Sequence, residues 1–480
     1  MLTRLCHGEY ANIATVQAFA KSCSLVPQKG RISEKPETPA KGHRTPSLVL
    51  QACVRLQATG VLGLCLPVLL FFAITPAAAQ DWARPLLRNL HRLDLRELGY
   101  APSNEIPANS SAVTSLLTAS DGKIYGGTSG EEAYLFVFDP ATNKVRHLGR
   151  IPGQEGIHHA LVEDRDGALL VGTGRNVLAG VPLTPGKAGG PKIDEILWTD
   201  IQTHFRKDPG GHLYRYLPRQ SDSKAKLVGM DAEVQDLGIP VAGNAVYALA
   251  IHPAGVEIYG LTYPDGHFFV YYIAGKKYRD LGEVERQRVF HGPERDWRSL
   301  PRALVVDRQG RVLTSGEGGK LIYYDPNSRR LCNTDLVIPG DYNYVQFFSD
   351  HAVVDGFAKA ASGILYGGSS DGYLFALDPE KMKLTNLGKP RAARRLRCLA
   401  VGHDGKVYLM AGERSAAWPC QAYCYDPREG GYTELGLLIV DRSPHYYRRG
   451  YQFDCMTVGQ EGTLYLGESE RRSHLFLYLP

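Results

Sequence analysis

Most of the signatures that give an enzyme away on inspection are missing from this chain. No phosphate loop, dinucleotide fingerprint, GxSxG elbow or HExxH helix occurs in a supporting context, so a nucleotide cofactor is not expected and no other cofactor is named. An excess of one charge is missing too. The chain has 55 Lys/Arg against 50 Asp/Glu, and residues 1–79 hold the whole surplus, with eight basic and three acidic side chains. The remainder carries 47 of each sign, which removes any bulk electrostatic case for a nucleic-acid partner. Cysteine is sparse beyond residue 79: Cys332, Cys398, Cys420, Cys424 and Cys455, an odd number. Cys420 and Cys424 lack the paired spacing of a zinc site, so no metal ligands are assigned, and no disulfide pairing follows from sequence.

Long apolar runs are also scarce. The one from Leu56 to Ala73 follows Arg55 and leads into Thr75-Pro76-Ala77-Ala78-Ala79-Gln80, a small-residue cleavage site. Residues 1–79 read as an N-terminal extension and secretion signal, cleaved after Ala79. An uncleaved membrane anchor is the alternative, and without it the mature chain has no membrane partner.

What the chain does have is a repeat. Seven copies of one strand pattern recur: YLFVFDP from Tyr134, HLYRYLP from His212, HFFVYYI from His267, KLIYYDP from Lys320, YLFALDP from Tyr373, QAYCYDP from Gln421 and HLFLYLP from His474. Period-2 aromatics closed by a turn residue predict a β-strand. Upstream of most copies lies a hairpin turn such as Asp121-Gly122 or Asp404-Gly405, where glycine supplies positive φ, and downstream a strand ends in Leu-Gly. Four short strands repeated every 40 to 50 residues or so predict an all-β fold, a seven-bladed β-propeller over residues 80–480. The last blade stops after its third strand, and LHRLDLRELGY from Leu90 to Tyr100 supplies a lone fourth, so the N-terminal strand is expected to complete the last blade and close the ring.

Register then selects candidate site residues. Aligning the seven first strands on an Ala-Leu-like pair places Thr114, His159, Tyr247, Arg302, His351, Arg397 and Asp454 around one end of the central channel. A purely structural ring would hold small or apolar residues there. Cys398 and Cys455 follow this position in adjacent blades and read as small buried residues. The third-strand starts add His212 and His267 further out, beside Tyr263, and the blade connectors add Arg394, Arg395, Tyr447 and Arg448. Arginine forks suit carboxylates and sulfates, and tyrosine faces suit sugar rings. An insertion of nearly forty residues between Thr173 and His212, with Trp198 and His204, is a candidate lid on the same face.

A secreted seven-bladed propeller with His, Tyr and Arg at one mouth resembles the propeller-fold polysaccharide lyases, notably the ulvan lyases and more distantly the oligogalacturonate lyases. The resemblance spans Leu90 to Pro480 in architecture and in phrases such as IYGLTYPDGHFFVY from Ile258 to Tyr271. The metal-binding His and Gln cluster of the oligogalacturonate lyases has no counterpart, since Gln346 and His351 alone do not make one. The resemblance implies cleavage of a uronate-containing anionic polysaccharide or oligosaccharide by β-elimination. His159, Tyr247, Arg302 and His351 would be catalytic, and Arg397, Asp454 and the outer residues would bind substrate. A non-catalytic propeller that binds a glycan or a protein is the competing class, because this fold hosts both.

The export reading makes one prediction. Protein secreted from a bacterial host should begin at Gln80 by N-terminal sequencing; recovery with residues 56–73 still attached would establish the anchor instead.

Overall fold

The computed structural model describes residues 90–94 (backbone), 106–176, 207–218, 234–285, 300–341, 351–393, 395–412, 420–438, 452–469 and 474–480. The propeller belongs to the unit Ala73–Pro480. Residues 1–89 with the expected secretion signal, the candidate lid residues Trp198 and His204, Gln346, and three candidate site residues, Arg394, Tyr447 and Arg448, lie outside the described residues.

The described strands form seven four-stranded antiparallel sheets, six of them running in chain order from the inner strand outwards. Blade 1 is typical: Ala112–Thr118, Ile124–Ser129, Ala133–Asp139 and Lys144–Ile151. The second and third strands are buried almost throughout, as their near-continuous apolar sequences require. Outer strands alternate exposed and half-buried residues, as in Arg330–Val337, because only one of their faces meets another blade. The seventh sheet takes its outer strand from the start of the propeller: Leu90–Asp94 pairs antiparallel with His474–Tyr478, from Leu90 opposite Tyr478 to Asp94 opposite His474. The remainder of the expected strand, 95–100, is outside the described residues.

Among the described residues an apolar cluster lies at each of the seven blade junctions and holds the ring together. Phe136, Phe138, Tyr465 and Leu475 join blades 1 and 7, with the rings of Phe138 and Tyr465 5.5 Å apart. Tyr259 of blade 3 meets Tyr324 of blade 4 at 5.4 Å. Each such side chain contributes about 1.5–3 kcal/mol on burial, so stability is distributed around the circle. Cys398, Cys420, Cys424 and Cys455 are buried in these layers.

Deletion tests the closing strand. A chain beginning at Ser111 would expose the backbone edge of His474–Tyr478, and it should melt at least several degrees lower or lose cooperativity. An undiminished single calorimetric transition would show that the strand contributes nothing to closure.

Candidate functional site

An extra residue at the head of each inner strand builds the site. In blades 1, 3, 5 and 7 the pairing of the first two strands skips Thr114, Tyr247, Asp355 and Asp454 respectively. The same register places His159 before Ala160 in blade 2 and Arg397 before Cys398 in blade 6. In blade 4 it places Arg302 before Ala303, whose carbonyl accepts Thr314 Oγ1 at 2.9 Å. A bulge bends the strand and re-aims the extra side chain.

The blade 5 member is therefore Asp355, which corrects the expected His351. The residue after the ring position is small everywhere: Ser115, Ala160, Ala248, Ala303, Cys398 and Cys455, but Gly356 in blade 5. Ala352 mimics that small residue four positions upstream and draws the alignment off register. Glycine is required at 356 because a Cβ there would come within 2.5 Å of the Arg397 carbonyl oxygen. His351 instead places Nε2 2.8 Å from Glu285 Oε2, beside Gly319.

Around Tyr247 the other expected residues do converge. The His159 ring meets it nearly edge-on at 5.7 Å, His158 lies at 5.0 Å, Tyr263 at 5.9 Å, and the Arg302 guanidinium 5.9 Å from its centroid. Arg397 Nη1 donates to Asp454 Oδ1 at 2.8 Å, and Gln452 Nε2 donates to Asp454 Oδ2 at 3.1 Å. Arg395 Nη1 donates to Asp355 Oδ1 at 2.7 Å, and Arg302 Nε lies 3.7 Å from the same oxygen. Arg302, Asp355 and Arg395 are at most 3% exposed, a burial that charged groups tolerate only when paired. Arg395 thus joins Arg397 in a buried ion-pair layer instead of the solvent-facing rim its connector suggests.

Burial sets the protonation of this layer. It lowers the His158 and His159 imidazoles to about 4, against a weaker opposing pull from Asp454 on His159, so both rings are neutral near pH 7. Tyr247 is raised by burial and stays protonated. Burial alone would raise Asp454, but Arg397, with His159 and Arg302, holds it well below the usual carboxylate range. The site therefore sets a neutral base and a protonated phenol beside fixed cations.

On the channel axis lies a cavity of about 160 Å³. His159, Asp355, Arg397 and Asp454 line it together with an apolar layer of Leu116, Leu161, Leu249, Leu304, Phe357, Leu399 and Met456, one from each blade. The outer candidates stand apart from it. His212 and His267 bond to Asp236 and Asp280 of their own blades, at 2.9 and 2.8 Å. Among the described residues no group of three or more His, Cys, Asp or Glu is arranged to hold a metal ion.

No family model matches the chain, and no curated protein sequence does. Solved structures do. A streptogramin B lyase superposes with a TM-score of 0.50 at 11% identity, over 82% of this chain and 97% of its own. The virginiamycin B lyase of Staphylococcus aureus, solved with quinupristin as a catalytically inactive histidine-to-alanine variant, gives 0.51 at 10% identity, over 82% and 99%. The likeness is one of fold. The chain is a seven-bladed β-propeller, and its site has to be read from its own residues.

The depressed imidazoles give stability a pH slope. Because their folded values lie below the ordinary 6.5, the unfolded chain binds more protons between pH 6.5 and 4. The contribution is full above 6.5 and is lost as pH falls toward 4, by at most about 3 kcal/mol per ring. His159→Gln should flatten the decline of the melting temperature across that window; an unchanged slope would mean the imidazole is not held neutral.

Proposed function

We propose that this protein is an exported, carbohydrate-directed propeller that cleaves a uronate-containing anionic glycan by β-elimination at the polar ring of its channel. The observation that carries the reading is the contact of His159 with Tyr247 beneath the Arg302 guanidinium and next to the Arg397–Asp454 pair. Elimination needs a base for the C5 proton, cationic donors for the carboxylate whose charge grows as that proton leaves, and an acid for the departing oxygen. Neutral His159 suits the first role. Arg302 and Arg397 suit the second, where fixed donors in a dry site act most strongly. Protonated Tyr247 suits the third. The C5–H electrons form the C4–C5 double bond as the C4–O bond breaks; the proton from C5 goes to His159, and that of Tyr247 goes to the leaving oxygen.

Asp454 enters only by orienting Arg397, and Tyr263 extends the aromatic wall beside Tyr247. His212, His267, Arg394, Tyr447 and Arg448 belong to the proposal as outer contacts for a longer substrate. His351 has no part in it.

The test is to incubate the purified protein with a panel of anionic polysaccharides and follow the ultraviolet absorbance of the unsaturated uronate product. His159→Ala or Tyr247→Phe should reduce turnover by about 10² or more with the fold intact, the scale of lost acid–base catalysis. Glycan binding without product, insensitive to both substitutions, would favour the non-catalytic alternative.

A further inference from the structure

Among the described residues, two buried polar atoms of the channel ring, on Asp355 and Arg397, lack hydrogen-bond partners. Asp355 gives Oδ1 to Arg395 and Arg302, while its Oδ2 makes no hydrogen bond. Arg397 gives Nη1 to Asp454, while its Nε makes none. The two residues are 1% and 9% exposed, and both line the same 160 Å³ cavity. One atom is an acceptor and the other a donor. An unmade hydrogen bond at a buried charged group costs more than one at a neutral group, so such atoms discriminate strongly among ligands that reach them.

We propose that Asp355 is a specificity-determining residue that accepts a hydroxyl of the bound sugar on Oδ2 while Arg397 Nε donates to the sugar's carboxylate. The inference rests on the uronate reading and narrows it: the ring recognises a hydroxylated carboxylate, not a carboxylate alone. The geometry gives each group one task. Arg395 and Arg302 hold Oδ1 and thereby fix which oxygen is presented. The Arg397–Asp454 pair engages Nη1 and leaves Nε, which has no partner of its own, able to donate. The layer from Leu116 to Met456 is apolar, so the polar side chains that can orient a ligand in this cavity are Asp355 and Arg397, with Ser115, His159 and Asp454 beside them. A site built to bond a hydroxyl rejects an analogue that lacks it, because its own buried group is left unpaired.

Calorimetric titration of the full-length protein with two probes decides the matter. Methyl glucuronide carries ring hydroxyls and a carboxylate; cyclohexanecarboxylate has the carboxylate on a similar ring without hydroxyls. The uronide should bind at least tenfold more tightly. Asp355→Asn, which keeps the size and an oxygen for Arg395, should bring the two affinities to within about twofold of one another. Equal binding of the two acids by the unmodified protein, or a preference that survives in Asp355→Asn, overturns the role of Asp355 and leaves carboxylate recognition standing. If neither acid binds, the uronate reading itself falls and this inference falls with it. The wild-type comparison needs no variant, so a folding defect in Asp355→Asn cannot mask the result.

Discussion

Each blade has two apolar faces, and neither is buried until a neighbour covers it. That constraint governs the whole structure. With every core shared between adjacent sheets, a blade at an open end would leave a face in water, and the cluster of Phe138 and Tyr465 removes that end by joining blade 1 to blade 7. The strand Leu90–Asp94 removes the other kind of end, the unpaired backbone edge of His474–Tyr478. Closure fixes the circle, and the circle brings seven inner-strand heads together.

Convergence has an electrostatic consequence. Seven positions distant in sequence are forced into one small volume, and here they include His159, Tyr247, Arg302, Asp355, Arg397 and Asp454. Removing such groups from water is costly, and the layer offsets this by pairing: Arg397 with Asp454, Arg395 and Arg302 with Asp355. The same burial keeps the imidazoles neutral and the phenol protonated. Packing therefore sets the chemistry, since the burial that comes with closure also selects the protonation states of the ring.

The seven-fold pattern was legible in the chain because alternation and turn chemistry are local. Strand-forming phrases, Asp-Gly turns and the missing fourth strand of the last blade all lie in short stretches of sequence. Six of the seven ring positions could be read in the same way, since each precedes a small residue that close approach of neighbouring blades demands. The seventh could not: Gly356 stands where an alanine or another small residue was the guide, and Ala352 offers a false match. His158 was invisible because nothing in its own blade marks it as the neighbour of Tyr247.

The sequence by itself determined the fold class, the blade count and the identity of most side chains at the channel, because period, turn type and repeat register are properties of adjacent residues. Only the tertiary structure decided which of those side chains meet. Asp355 in place of His351, the burial of Arg395 and Arg397, and the retention of His212 and His267 within their own blades all depend on distances between blades. Those distances come from backbone approach, such as that of Gly356 to the Arg397 carbonyl, which no single strand encodes.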